Sequence, residues 1–388
     1  MQKPNQKKDE TGNVLWLTQD QVDMSSSENR RYVLVQTVAP HYRQGFFDAL
    51  VEQLGDSLTI LSGGEYFDAN LKSEVINPRV LSNARNFFLL RRKMVFQWGV
   101  HRRAIKADVA VLEYNPRIVN TWLVAAIRKV LGRRTILWGH AYSRRGNDNF
   151  ARAAQRAFSD AMIVYTEDQR QILTDVLHYK GGAYAAPNAI FHEKEMQPVP
   201  STDRHSFLYV GRLVKDKKPA IMISAFASVV SKLPDAAKLI VVGDGKERPG
   251  MEKLAVELGV ADRVQMLGQI SDYEKLRELY QKSIAALSPG YVGLSITQCL
   301  GFGVPLIYSK DEPHSVEIVC AKEGWNSLSF ETDNAEDLGR MMLKVTSERE
   351  SWISRTEQIS ADCRERFSIE NMARGFVRAI REVDGQRS

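Results

Sequence analysis

The chain has 388 residues, 44% hydrophobic, 26% charged and 9% aromatic, which excludes a disordered polymer and suits two α/β domains of roughly 150 to 200 residues each. The formal net charge is +6; Cys299, Cys320 and Cys363 stand too far apart in the chain to encode a disulfide framework or a zinc cluster, which indicates a reducing compartment. The first thirty residues are polar, without the apolar run of a secretory signal or membrane anchor, and residues 1–30 read as a flexible tail.

From there, short β-branched runs alternate with helical patterns. Residues 32–37 read as a strand and 45–54 as a helix with Phe46, Phe47, Leu50 and Leu54 on one face. Further strands are expected at 58–61, 109–112, 135–138 and 161–165, with amphipathic segments at 119–131 and 167–177. Such alternation implies a parallel sheet with right-handed crossovers.

One stretch differs in charge. Residues 85–106 hold Arg85, Arg91, Arg92, Lys93, Arg102, Arg103 and Lys106 with no acidic residue, interleaved with Phe87, Phe88, Phe96 and Trp98. Read as a helix, it carries a cationic face beside an aromatic one, which suits an anionic membrane surface, with Arg91, Arg92, Lys93, Phe96 and Trp98 facing it. The competing reading is a half-buried helix with solvated arginines. No nucleic-acid-binding motif accompanies the charge, so a nucleic-acid partner is not expected.

A polar stretch with Pro198, Pro200 and Asp203 precedes a new strand at 207–210, and the domain boundary is expected there. The expected domains are 31–195 and 204–365, closed by a C-terminal helix at 366–388 that packs back on the first. In the second half, helices at 219–233, 248–258 and 274–283 alternate with strands at 238–242, 264–267, 284–287 and 305–308. The expected fold is α/β, two doubly wound Rossmann-like domains facing across a cleft. In such sheets ligands sit at the carboxyl ends of the strands, here the loops after Trp138, Val210, Val242 and Leu287.

In the loop after Val210, Gly211 admits a ligand to the backbone, Arg212 offers a planar fork and Lys217 a point charge, a set that suits a diphosphate. The competing reading is a solvated basic loop. Gly243 and Gly245 after Val242 do not complete a dinucleotide fingerprint, because Arg248 takes the last glycine position. Gly290, Gly293, Leu294 and Ser295 lead into a helix whose first amides form an anion site, and Gln298 one turn in is either a hydroxyl ligand or an exposed polar residue. His140 follows Gly139 at a strand end and either bonds a substrate hydroxyl or is structural. His41, Tyr42, Arg43 and Gly45 lie in the loop before the first helix, a candidate acceptor surface. P-loop, zincin, serine-hydrolase and calcium-loop patterns do not occur.

Taken in order, these loops resemble the GT-B-fold retaining glycosyltransferases of the large family that includes bacterial mannosyl- and glucosyltransferases of surface polysaccharides. The resemblance rests on Phe207 to Lys217 with its G-R-L and downstream lysine, on Val242-Gly243-Asp244-Gly245, on Val264 to Ile270 passing the base, on Gly293 to Ile296 followed by Gly303-Val304-Pro305-Leu306-Ile307, and on Pro187-Asn188. It implies a nucleotide-sugar donor (UDP- or GDP-linked) with no cofactor or metal. It also implies Arg212 and Lys217 as diphosphate ligands, His140 beside the donor sugar, and Gly211, Gly243, Ile270, Gly290, Gly293, Leu294, Ser295 and Gln298 around the donor. The implied acceptor is a saccharide, lipid-linked, at the inner membrane face, and the implied location cytoplasmic or peripheral on that face. The family's two glutamates eight positions apart are Gly290 and Gln298 here. That departure leaves open a non-catalytic sugar-nucleotide-binding protein, and the shared two-lobed architecture leaves open a sugar-nucleotide epimerase.

Overall fold

A computed structural model describes residues 6–8, 14–16, 30–67, 71–75, 77, 79–81, 84–143 and 148–386. The chain divides into two compact units, residues 1–186 with 373–388, and residues 187–372. The expected boundary near residues 198–203 thus lies inside the second unit. The expected flexible tail falls largely outside the described residues; within it, Gln6–Lys8 and Val14–Trp16 pair antiparallel.

In the first unit the apolar runs form seven parallel strands: β1 (Tyr32–Gln36), β2 (Leu58–Ser62), β3 (Val80–Leu81), β6 (Val109–Glu113), β7 (Arg134–Trp138), β8 (Ala161–Val164) and β9 (Gly182–Ala185), in the order β9-β8-β7-β6-β1-β2-β3. Every residue of β1 and β8 is buried, as expected of strands covered on both faces. Helix α1 (Gln44–Leu54) buries Phe46, Phe47 and Leu50, and ends at Gly55, where φ is +52° and a side chain would be strained. Helices α3 (Val119–Val130), α4 (Phe150–Arg156) and α5 (Glu167–Gln171) supply the crossovers.

The basic-aromatic stretch is not one helix. It is an antiparallel hairpin, β4 (Arg85–Leu89) and β5 (Met94–Trp98), followed by the short helix α2 (His101–Lys106). Phe87, Leu89 and their partners Phe96 and Met94 line one face, while Asn86, Phe88, Val95 and Gln97 line the other, where Val95 and Gln97 are buried. The period of two, not 3.6, governs the segment.

The second unit carries six parallel strands: β10 (Ser206–Val210), β11 (Leu239–Val242), β12 (Val264–Gly268), β13 (Ser283–Ser288), β14 (Leu306–Ser309) and β15 (Ser327–Phe330). Their order, β12-β11-β10-β13-β14-β15, reverses direction beside β10, which is the switch point where such sheets take ligands. Helices α6 (Ala220–Val229), α7 (Arg248–Glu257), α8 (Tyr273–Gln281), α9 (Ser295–Gly301) and α10 (Ala335–Ser347) cover the sheet. Short α11 (Arg349–Ser354) and α12 (Thr356–Phe367) lead to α13 (Ile369–Gly385), whose residues from Ala373 onward count with the first unit. Cys299, Cys320 and Cys363, distant in sequence, are free and share one apolar core.

Candidate functional site

The carboxyl ends of β10, β11, β12 and β13 bring four loops of the second unit side by side. The Gly211 amide donates to the Val242 carbonyl at 3.0 Å, the Leu213 amide to Asp244 at 2.9 Å, and the Gly243 amide to Gly268 at 2.7 Å. Gly243 has φ +138°, and a Cβ there would stand 1.8 Å from the Gly211 carbonyl oxygen, so only glycine lets these two loops meet. Ile270, beyond β12, packs against the core that includes Val292 and Ile296.

Lys217 is the charged centre of this cluster. It lies in the single turn Lys215–Lys217 and donates its ammonium to the Tyr291 carbonyl, 4.8 Å from the Tyr291 ring centroid. Burial lowers its pKa to about 8, with the nearby Arg212 charge adding to the shift and Asp216 opposing it. Arg212 is exposed, and among the described residues no ion pair engages it. The next residue, Lys218, holds a left-handed φ of +48° and is anchored by Glu312 and Asp333.

Gly290 faces the same turn from the other side. A Cβ at 290 would stand 2.4 Å from the Asp216 carbonyl oxygen and 2.7 Å from the Lys217 carbonyl carbon, and the Tyr291 amide donates to Asp216 at 3.1 Å. The position thus lacks a side chain because the backbone of the 215–217 turn fills the space. At Gly293 a Cβ would meet the Lys217 ammonium at 3.8 Å, placing that charge against the start of α9. Amides of Ile296 and Thr297 return to the carbonyls of Gly293 and Leu294, while Ser295 opens the helix. Gln298 is half-buried, and its carboxamide oxygen accepts a hydrogen bond from the buried Tyr280 hydroxyl at 3.1 Å.

A residue not singled out in the sequence completes this loop. The Val292 amide donates to His314 Nδ1 at 3.0 Å, and His314 Nε2 lies 2.7 Å from the Ser309 carbonyl oxygen. An amide can only donate, so Nδ1 carries no proton and Nε2 must donate to Ser309, which fixes the neutral tautomer. Burial lowers the pKa of His314, and the Lys217 charge pushes the same way. The available signal was its place in the loop after β14, a further strand end.

In the first unit, His140 follows β7. Its ring is exposed, lies 4.6 Å from the Tyr165 ring centroid, and has Nδ1 3.3 Å from Gln169 Nε2. His41 and Tyr42 are exposed in the turn His41–Arg43. Arg43 stacks on Trp138, 4.7 Å from its centroid, and Gly45 lies in the first turn of α1. At the end of β6, Glu113 accepts from the Thr37 amide at 2.9 Å and hydroxyl at 2.8 Å; burial raises its pKa against those bonds and the Arg43 charge.

The five expected membrane-facing residues separate. Arg92 turns inward: it bonds Glu65 and the Phe67 and Tyr66 carbonyls and lies 3.7 Å over the Phe88 ring. It is a structural anchor, contrary to the expectation. Phe96 is half-buried, whereas Arg91, Lys93 and Trp98 are exposed. Among the described residues no group of three His, Cys, Asp or Glu side chains is arranged to hold a metal ion, and no helix is long and apolar enough to cross a membrane.

Two parallel doubly wound sheets, the second with glycine-lined loops around a half-buried lysine at its switch point, define the GT-B class of glycosyltransferase architecture. Residues 191–361, a little under half of the chain, match the family model described as Glycosyl transferases group 1. The chain is similar to the Vi polysaccharide biosynthesis protein VipC/TviE of Salmonella typhi, 28% identical over 44% of this chain and 29% of that protein; it therefore spans under a third of that relative. It is 22% identical, over 80% of this chain and 82% of the relative, to a Campylobacter jejuni protein, the GalNAc-alpha-(1->4)-GalNAc-alpha-(1->3)-diNAcBac-PP-undecaprenol alpha-1,4-N-acetyl-D-galactosaminyltransferase. Among solved structures, Anabaena Alr3699/HepE in complex with UDP superposes with a TM-score of 0.64 at 15% identity, covering 91% of this chain and all of that one.

Proposed function

We propose that this chain transfers a glycosyl group from a nucleotide-diphosphate sugar to a saccharide acceptor, lipid-linked, in the synthesis of a surface polysaccharide, with retention of configuration. The observation that carries the reading is the convergence on Lys217 of the loops after β10 and β13. In the reaction the bond between the anomeric carbon and the diphosphate oxygen breaks, a bond from that carbon to the acceptor oxygen forms, and the acceptor hydroxyl gives its proton to the departing diphosphate. Negative charge grows on the leaving diphosphate. Arg212, Lys217 and the amides of Gly293 to Ser295 are assigned to that charge, so that no metal is required. A half-buried ammonium, partly stripped of water, stabilises that charge more strongly than one in bulk solvent.

His140 is assigned to the donor sugar, His41 to Gly45 to the acceptor, and the base to the segment ending at Ile270. The name of the Campylobacter jejuni relative supports a saccharide acceptor on a lipid diphosphate, and the UDP complex supports a nucleoside diphosphate in this fold. The hairpin is assigned to the anionic inner face of the plasma membrane through Leu90, Arg91, Lys93 and Trp98, and the protein to a cytoplasmic, peripheral location. Leu90 and Trp98 are 69% and 63% exposed beside basic residues, a composition that favours an interface with anionic lipid over water.

The test is incubation with a panel of UDP- and GDP-sugars, with and without bacterial lipid extract, following nucleotide release and product. Acceptor-dependent release is expected. Binding without turnover would identify a sugar-nucleotide-binding protein, and conversion of the donor sugar without acceptor an epimerase; either contradicts the proposal.

A further inference from the structure

The loop from Gly290 to Gly293 has no side chain at its first position, yet it must keep one shape if it is to meet a diphosphate with backbone amides. Two contacts hold it from the side of the 215–217 turn, the Tyr291 amide on Asp216 and the Lys217 ammonium on the Tyr291 carbonyl. Two more hold it from the opposite side, the Val292 amide on His314 Nδ1 and the Ser315 amide on the Val292 carbonyl at 3.0 Å. Two of these four links depend on titrating side chains, the Lys217 ammonium and the His314 ring, and of the two only the His314 link is broken by taking up a proton. His314 ties the loop to β14 through Ser309, with the Tyr308 ring packed edge-on at 5.7 Å.

We infer that His314 is a positioning residue for the donor: as the neutral Nε2–H tautomer it clamps Val292 to β14, and its protonation releases the loop and weakens nucleotide-sugar binding. The inference rests on the nucleotide-sugar reading for the identity of the ligand, while the clamp itself is a property of the free protein. A proton on Nδ1 leaves two donors facing each other, so the Val292 bond is lost outright rather than weakened. The charged groups around the ring are Lys217 across the loop, which opposes protonation, and Glu312 on its own segment, which favours it. Glu312 is in turn engaged by Lys218, which also pairs with Asp333. Because the lowered pKa favours the neutral ring in the folded chain, the clamp is complete at neutral pH and is lost as pH falls below the ordinary histidine range, about 6.5.

The experiment compares the full chain with His314→Asn and His314→Ala at about pH 7.5 and about pH 5.5. Asparagine keeps an acceptor near the Nδ1 position but does not titrate. Binding of UDP-glucose and GDP-mannose is measured by calorimetry; their diphosphate diesters do not change charge across this range, which removes the ligand as the source of a pH effect. Affinity of the native chain for whichever binds should fall about tenfold on acidification, the worth of one lost hydrogen bond. His314→Asn should be flat with pH, and His314→Ala should be weak and flat.

Amide exchange of the peptide spanning residues 288–298, corrected for the intrinsic pH effect, is measured in parallel without ligand. Protection should drop on acidification in the native chain and stay constant in His314→Asn. If the asparagine variant loses affinity or protection with falling pH as the native chain does, the clamp is refuted. If neither sugar binds at any pH, the nucleotide-sugar reading fails and the donor role with it, while the exchange data alone still decide whether the clamp exists.

Discussion

Lys217 is the charged centre of the loop cluster in the second unit. With its pKa depressed from 10.5 to about 8, the unfolded chain binds more protons than the folded one between those values, so this group's contribution to stability rises with pH across that window. A bound diphosphate reverses the preference by favouring the ammonium. Binding near pH 9 should therefore take up a proton. Calorimetry in buffers of different ionisation enthalpy should show uptake for the native chain and none for Lys217→Met; equal slopes would contradict the placement. Gly290 gives a second prediction at this scale. Restoring a carboxylate there with Gly290→Glu should not help, because the side chain must displace the Asp216–Lys217 backbone. It should cost ~1–3 kcal/mol in stability and weaken nucleotide binding; a stable variant with tighter binding would refute this steric account.

At the scale of elements, the hairpin β4–β5 shows what the sequence concealed. Its tip runs through Leu90, Arg91 and Arg92 with φ of +50°, +54° and +63°, a conformation that costs roughly 1–2 kcal/mol per non-glycine residue. No glycine or asparagine announced a turn, and the mixture of arginines and aromatics looked amphipathic at a helical period. The bonds of Arg92 to Glu65 and to two carbonyls hold the strained tip. Arg92→Ala should loosen it, so trypsin should cut at Arg91 or Lys93 faster than in the native chain; equal rates would show that the tip stands without the anchor. The same geometry dictates how the membrane assignment is tested. Arg91→Glu and Lys93→Glu together, with Arg92 left in place, should reduce partitioning onto anionic vesicles, and unchanged partitioning would refute it. Strands with continuous apolar runs, such as β1 and β8, were legible because burial on both faces demands that composition. The short β9, Gly-Ala-Tyr-Ala, was not, since small residues carry no strand signal.

On the scale of the whole molecule, the order of the second sheet places β10 at the switch point, so the loop with Gly211, Arg212 and Lys217 was legible as a candidate site from its position after a strand. The reason Gly290 bears no side chain was not legible, because it depends on packing against a turn remote in sequence. Nor was His314, whose role exists only once β14 and the loop after β13 lie together. Each is a tertiary fact about residues that no local pattern joins.

The most direct test of the central assignment is titration of the full-length chain with UDP- and GDP-sugars, native against Arg212→Ala combined with Lys217→Ala. One sugar nucleotide should bind the native chain, and the double variant, with its fold intact by circular dichroism, should lose at least ~3 kcal/mol of affinity, about a hundredfold. Undiminished affinity in that variant would contradict the assignment of the diphosphate to this loop.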